Sequence, residues 1–245
     1  MFIKYGAEGH LRALMEQGQM YMNPCKYFRD LEASQLLKGI GDCNDGGIIT
    51  DEGKVVLKHR NGSYYEIPNQ SIAFIVEPCL HIPVFCLKQS ERSTLSLADR
   101  EVLREQFPTH THALVIDDEF SFFENIRISF AGNAFCHSIF YQDKFFVDFL
   151  EFLEGGKSDV QFNNPKPTPR YYAEMISLPN DPNDRAHRFR IDDTNYFKTM
   201  FRKGTFFESQ KEYRIVLPYE RVDAGKIFNI QPIKAKLYKI DDLVQ

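Results

Sequence analysis

The strongest constraint on how this chain folds is its punctuation: apolar runs are short, and a turn residue cuts each one off within a few positions. Phe2–Tyr5 stops at Gly6, and Met20-Tyr21-Met22 stops at Asn23-Pro24. Lys54–His59 and Ser63–Ile67 flank Arg60-Asn61-Gly62, and Asn-Gly is a strong hairpin signal. Gly47–Thr50, Ile72–Val76, Val84–Leu87 and His112–Ile116 are of the same kind, as are Tyr213–Leu217, Ile227–Ile230 and Ala235–Ile240. Runs this short satisfy their backbone groups in a core only by pairing with one another. The strongly apolar Ile72–Val76 and Val84–Leu87 are expected to be central strands.

Helical periodicity is rarer. Glu8–Gln17 spaces Leu11, Leu14 and Met15 by three and four, with Gly18 as its stop. Lys26–Leu31 begins a helical turn. Ser96–Phe107 opens on a capping residue with Asp99 three positions later and closes at Pro108. Asp143–Glu154 lines Phe145, Phe146, Phe149, Leu150 and Leu153 on one face and ends at Gly155-Gly156. Tyr196–Arg202 is a short helix. Strands outnumber helices and are joined mostly by turns, which predicts an α+β class: a mixed or antiparallel sheet with flanking helices. The chain is expected to be a single domain over 1–245. An irregular excursion at 156–195 interrupts it, where Pro165, Pro167, Pro169, Pro179 and Pro182 leave only Tyr171–Leu178 strand-like.

Composition narrows the function classes. No stretch approaches the ~18 apolar residues of a membrane span, and the first residues carry no long apolar segment, so a cytoplasmic protein with no membrane contact is expected. Five cysteines, odd in number, widely spread and without a C-x-x-C pair, point to buried reduced thiols. With no Trp but 22 Phe and 12 Tyr, the core is built from benzene rings, and the tyrosines supply polar handles. The net charge of −4 does not mark a constitutive nucleic-acid binder. Charge is uneven, however: Gly155–Arg214 holds eleven Lys or Arg against eight Asp or Glu, with Tyr171, Tyr172, Phe189 and Tyr196 interleaved. Basic residues alternating with aromatic platforms are the footprint of single-stranded nucleic-acid binding, and Arg170, Arg185, Arg188 and Arg190 are its candidates. The plainer alternative is a solvated long loop.

The candidate catalytic element is Gln210-Lys211-Glu212, at the mouth of the late strand. In an extended chain residues two apart share a face, so an amide and a carboxylate would point together. The amide could orient a substrate group while the carboxylate steadies positive charge on a sugar. The plainer alternative for Glu212 is a solvated strand-start residue paired with Lys or Arg. Arg29 and Asp30 offer a phosphate anchor with its orienter, or else a surface ion pair on a helix. Asp42 and Asp45 lie in a Gly-rich loop with Asn44, where oxygen ligands could hold Mg²⁺ or Ca²⁺. The full calcium-loop pattern is absent, and no metal is assigned. His110-Thr111-His112 would put two imidazoles on one strand face without a third ligand nearby. No G-x-S-x-G, P-loop, H-E-x-x-H or G-x-G-x-x-G occurs.

The order of strand with Tyr5, helix ending at Gly18, and aromatic segment Met20–Pro24 resembles the opening of ADP-ribosyltransferase domains. The likeness is greatest to DarT-like toxins and related bacterial phage-defence families. Asn23-Pro24 followed by Phe28-Arg29-Asp30, together with Lys211-Glu212-Tyr213-Arg214, is also similar to an uncharacterised bacterial family with "NP…FRD" and "KE(Y/W)R" elements. The resemblance implies an ADP-ribosyltransferase-like fold and NAD as substrate. Glu212 would be the catalytic carboxylate and Gln210 the acceptor-orienting amide. Tyr5, Tyr21 and Phe28 would line the nicotinamide–ribose pocket, with Arg29 on phosphate. It further implies a nucleic-acid or protein acceptor and an antitoxin protein as partner. The sequence departs from the pattern in two places: the first strand offers Lys4 and Tyr5 where His or Arg is usual, and a Ser-Thr-Ser element is not evident. The alternatives are a transferase-like binding or sensor module without turnover, and a metal-dependent nuclease using Asp42 and Asp45.

Overall fold

Strand β7 (Pro83–Gln89) organises the molecule, because three strands from distant parts of the chain pair with it. In the computed structural model, residues 1–35, 41–42, 44–50, 55–58, 64–67, 72–92, 94–141, 173–177, 188–191 and 196–243 are described. Along one edge of β7 lies β14 (Glu212–Val216), which in turn pairs β9 (Phe135–Ser138). The other edge is shared. β1 (Phe2–Gly6) pairs Lys88 and Gln89, whereas β2 (Gln19–Pro24) pairs Pro83 and Val84. From this fork one branch continues through β8 (His112–Ile116) to β16 (Lys236–Lys239), the other to β15 (Lys226–Asn229). Every pairing in this eight-stranded sheet is antiparallel. A parallel pair joins β10 (Phe140–Tyr141) to β13 (Arg202–Lys203). The chain is thus mixed α+β with a mostly antiparallel sheet and a few helices.

The remaining strands form separate antiparallel pairs: β3 (Gly47–Thr50) with β6 (Ile72–Ile75), β4 (Val55–Lys58) with β5 (Tyr64–Ile67), and β11 (Ala173–Ser177) with β12 (Arg188–Ile191). The apolar run at Ile72–Val76 is therefore not a central strand. Among the described residues it pairs only with β3, and Ile75 is exposed; apolarity alone does not separate a sheet centre from a two-stranded ribbon. The excursion contains β12 as well as the expected strand. The expected helix at 143–154 and all five prolines of the excursion lie outside the described residues, as do Asn61 and Gly62.

Helices cover both faces of the sheet. α1 (Glu8–Gln17) follows the expected span and ends where Gly18 takes a left-handed φ of 67°; its N–H caps the Ala13 and Leu14 carbonyls. α2 spans Cys25–Gln35. α3 (Leu97–Gln106) opens on the expected Ser96–Asp99 capping box. α4 (Glu119–Ser129) is capped by Asp118 and was not expected from the sequence. Alternation along the strands divides the core. Leu114 and Ile116 of β8 join Leu11, Leu14, Phe122 and Ile126 beneath α1 and α4. Ala113 and Val115 join Ile3, Leu103, Ile240 and Leu243 beneath α3. Among the described residues no helix is long and apolar enough to cross a membrane.

Candidate functional site

The strand alternation that builds the core under α1 and α4 also decides which side chains face the other way. Phe2, Phe85, Leu87, Tyr213 and Ile215 pack into that core, so Cys86, Lys88, Glu212 and Arg214 turn to the opposite face. Tyr213 sits against Phe2 and Phe123, with ring centroids 4.7 and 5.3 Å away, which fixes the register of β14. A cleft of about 260 Å³ opens on the opposite face. Its floor is charged, with Lys4, Lys203, Glu212 and Arg214. Its α3 wall is largely apolar, with Val102, Leu103 and Phe107, and Phe28 contributes from α2.

The floor is a buried ion network. Arg214, 1% exposed, donates from Nη1 and Nη2 to both oxygens of Asp45 at 2.6 and 2.7 Å. It also donates to the Met200 carbonyl at 2.6 Å and from Nε to Glu212 Oε1 at 2.5 Å. Lys203 Nζ holds Glu212 Oε2 at 2.7 Å. Burial alone would push the Glu212 carboxyl up, but Arg214 and Lys203 outweigh it and hold the group well below the usual carboxylate range. Burial likewise opposes the charge on Lys203, and the carboxylates of Glu212, Asp45 and Asp42 together more than restore it. The backbone of Glu212 is fixed too: its N–H donates to the Tyr141 hydroxyl at 2.7 Å, and its carbonyl accepts from Ile139 N–H at 2.8 Å. Asp42 is different. Burial, and then the charge of Asp45, push its carboxyl up to about 6.

The fork in the sheet places Lys4. Cys86 lies in the stretch of β7 between the β1 and β2 pairings, and its carbonyl accepts from Lys4 Nζ at 2.8 Å. The same ammonium lies 4.3 Å from the centre of the Phe85 ring, a favourable cation–π contact. Burial lowers the Lys4 pKa, and Cys86 and Glu212 offset only part of that.

Of the expected site residues, Tyr5, Phe28, Gln210 and Glu212 line this one cleft. The geometry of the Gln210–Glu212 pair differs from the expectation. Gln210 ends a 3₁₀ turn over Thr205–Gln210, Lys211 is left-handed at φ 43°, and the strand begins only at Glu212. The two residues therefore meet through a tight reversal, and the strand-alternating pair is Glu212 with Arg214. Tyr21 and Arg29 do not line the cleft. Tyr21 is 48% exposed on β2 and stacks on His10. Arg29 donates to the Asp45 carbonyl at 2.8 Å, bracing the 44–47 turn, while Asp30 pairs with Lys26 on the surface of α2. Asp45, weighed as a metal ligand, is occupied by Arg214. Among the described residues no group of three or more His, Cys, Asp or Glu is placed to hold a metal ion. His110 precedes β8 instead of sharing a strand face with His112, which lies 3.6 Å from Glu8.

Arg170 and Arg185 lie outside the described residues. Arg188 and Arg190 fall in β12, with Arg190 in register with Glu174. Three of the cations that made the 155–214 segment look basic, Arg202, Lys203 and Arg214, are buried. They are not presented to a phosphate backbone. The described cysteines carry no disulfide; burial raises Cys25 well above its ordinary value and pushes Cys79, Cys86 and Cys136 up to about 12, so none is a ready thiolate at neutral pH. Cys43 is outside the described residues.

Sequence reading missed Arg214, Asp45 and Lys203 as one unit. The spacing of Glu212 and Arg214 along a strand was the available signal. Comparison with known proteins returns no matching family model, no similar curated protein and no similar solved structure.

Proposed function

We propose that the protein is an ADP-ribosyltransferase-like enzyme that takes NAD as substrate, with Glu212 against the ribose and Gln210 on the acceptor side. One observation carries the reading: Tyr5, Phe28, Gln210 and Glu212, drawn from opposite ends of the sequence, line one cleft. Breaking the nicotinamide–ribose bond leaves positive charge on the sugar, as in glycoside hydrolysis, and a preorganised carboxylate stabilises such charge without reorganising. Glu212 is held ionised and fixed through its side chain and backbone. An ionised carboxylate offers about four lone-pair sites, and Arg214 and Lys203 occupy one on each oxygen. Sites therefore remain for ribose hydroxyls. Lys4, at the floor, supplies positive charge for a pyrophosphate, the part first assigned to Arg29. The acceptor, nucleic acid or protein, and an antitoxin-type partner belong to the same proposal.

A second reading, a transferase-like binding module without turnover, is favoured by the same clamp. With Asp45 and Glu212 set against Arg214 and Lys203, the network balances its own charge, which weakens any net pull on a developing cation. Two measurements separate the readings. Protein incubated with NAD labelled in its ADP-ribosyl part, with either nucleic acid or a protein mixture as acceptor, should transfer label. Glu212→Gln, which keeps the side-chain shape, should lower transfer at least ~100-fold, the scale of losing one preorganised electrostatic contact. NAD binding seen by calorimetry without transfer or NAD cleavage would leave the binding module. No NAD binding at all would sink both readings for this ligand.

A further inference from the structure

Among the cations that line the cleft, Lys4 stands apart. Lys203 and Arg214 are matched by Glu212 and Asp45, and Lys88 Nζ holds Asp99 Oδ1 at 2.8 Å. Lys4 forms no ion pair among the described residues. Its Nζ meets only the Cys86 carbonyl, at 2.8 Å, and the Phe85 ring, 4.3 Å from its centre. A free amine keeps two hydrogens for these two contacts, and its lone pair takes the third position. The side chain is half-buried and lines the cleft, so the nitrogen can be reached.

The ammonium form has little to hold it in this place. Loss of hydration disfavours a charge, and one carbonyl and one ring compensate less than a carboxylate in contact would. Burial therefore lowers the Lys4 pKa, and the more distant charges of Cys86 and Glu212 restore only part of it. The other titratable groups of the cleft add no free anion. Asp99 of α3 is taken up by Lys88 of β7, and Lys203 of β13 and Arg214 of β14 are cations. Burial keeps His110, ahead of β8, neutral with a pKa of about 4, and keeps the Tyr5 phenol protonated. A lysine without a counter-ion, beside an apolar wall, is the setting in which an amine becomes a nucleophile near neutral pH.

The cleft also restricts what that amine can meet. Its volume of about 260 Å³ suits a small molecule, and Val102, Leu103 and Phe107 offer an apolar wall. Once Lys4 has reacted, every remaining cation already has its carboxylate, so an anionic partner would be left unpaired.

We infer that Lys4 is a carbonyl-reactive amine, a site that takes an uncharged aldehyde with an apolar body and holds it as an imine. The Nζ lone pair forms a bond to the carbonyl carbon. The two amine hydrogens leave with the carbonyl oxygen as water, and a C=N bond replaces the C=O bond. The step needs no oxidant or reductant. It does not rest on the NAD reading, which uses the ammonium form of Lys4 where this chemistry uses the free amine.

The test uses the full chain at pH 7 with benzaldehyde as the probe and cyanoborohydride to trap the imine as a stable secondary amine. Peptide mapping by mass spectrometry then gives the labelling rate at each lysine and, separately, at the N-terminal amine. Lys4 should label at least about tenfold faster than the exposed Lys226 and Lys239, since each unit by which a pKa falls gives about tenfold more free amine. Lys4→Arg keeps a cation but cannot form the imine, so it should lose the fast site and keep the slow ones. Unfolding in guanidinium chloride should bring Lys4 to the rate of the exposed lysines. Glu212→Gln removes an anion that favours the ammonium, so fast labelling should persist while any ADP-ribosyl transfer is lost. Failure of this inference and failure of the transferase reading are thereby told apart. The inference is overturned if Lys4 labels no faster than Lys226 and Lys239, if the fast site survives Lys4→Arg, or if its advantage survives unfolding.

Discussion

Replacing Arg214 by Met removes the hub of the buried network while roughly conserving its volume. Arg214 and Asp45 have side chains about 1% exposed, and among the described residues Arg214 supplies both hydrogen bonds to the Asp45 carboxylate oxygens. After Arg214→Met, Asp45 is a buried carboxylate with its counter-ion gone, whereas Glu212 keeps Lys203. Breaking a buried pair from one side costs about 3–5 kcal/mol, because one charge stays dehydrated and uncompensated. An unfolding entropy of ~2.1 cal/mol/K per residue makes that a fall in melting temperature of about 6–10 °C for a chain of this length. The chain has no Trp, so far-ultraviolet circular dichroism during urea and thermal unfolding is the assay. The decisive arm is the cycle with Asp45→Asn. Once Asp45 is neutral, adding Arg214→Met should cost much less than it does alone, with a coupling of about 1–3 kcal/mol. Arg214→Lys should not rescue, because an ammonium cannot grip two carboxylate oxygens in a fork. Arg214→Met costing under ~1 kcal/mol, or the two substitutions adding within ~0.5 kcal/mol, would refute the reasoning.

Asp42 should act in the opposite sense to a paired carboxylate. Its folded pKa of about 6 lies above the ordinary 3.8, so its contribution is fully present below pH ~4 and lost as the pH rises through about 6. Asp42→Asn should therefore stabilise the protein at pH 7, by roughly 3 kcal/mol at most, and flatten the stability profile between pH 4 and 6; an unchanged profile in urea titrations would count against it. Glu212, whose pKa is depressed, should contribute stability above the usual carboxylate pKa that is lost as the pH falls below it, and Glu212→Gln should remove that acid limb. Lys211 holds φ at 43°, so Lys211→Gly should leave stability unchanged or raise it by up to about 1 kcal/mol, and Lys211→Val should lower it by about 1–2 kcal/mol. A Gly variant that unfolds at lower urea than the parent would contradict this.

What could be read from the sequence was what short-range chemistry settles. Gly18 ends α1 because only a residue without Cβ sits easily at φ 67°, where a Cβ would also fall 2.0 Å from the Ile230 carbonyl oxygen. Ser96 and Asp99 start α3 through a capping box that is local by construction. α4 escaped because its apolar residues do not keep to one face: Phe122 and Ile126 are buried, while Phe120 and Ile128 are exposed. In the site, Glu212 and Gln210 were legible as a motif, but the left-handed residue between them was not. Asp45 looked like a turn residue and Lys203 like part of a basic stretch. Their meaning comes from Arg214, which meets Asp45 across 169 positions of sequence.

The shared edge of β7 has a consequence for how the chain reaches this state. Its two tenants, β1 and β2, are made first, yet β2 waits for Lys226–Asn229 and β1 reaches its β16 neighbour only through β8. The other edge stays bare until Glu212–Val216 arrives. The pairings among β1, β2, β7 and β8 can form once residue 116 is made, but those to β14, β15 and β16 wait for the last strands, and pairings of such long span are slow because the loop-closure entropy is spent before contacts repay it. The nascent β7, apolar and unpaired on one side, is then the segment most exposed to intermolecular strand pairing, and slow refolding with aggregation that starts there is the expected behaviour in dilution from denaturant.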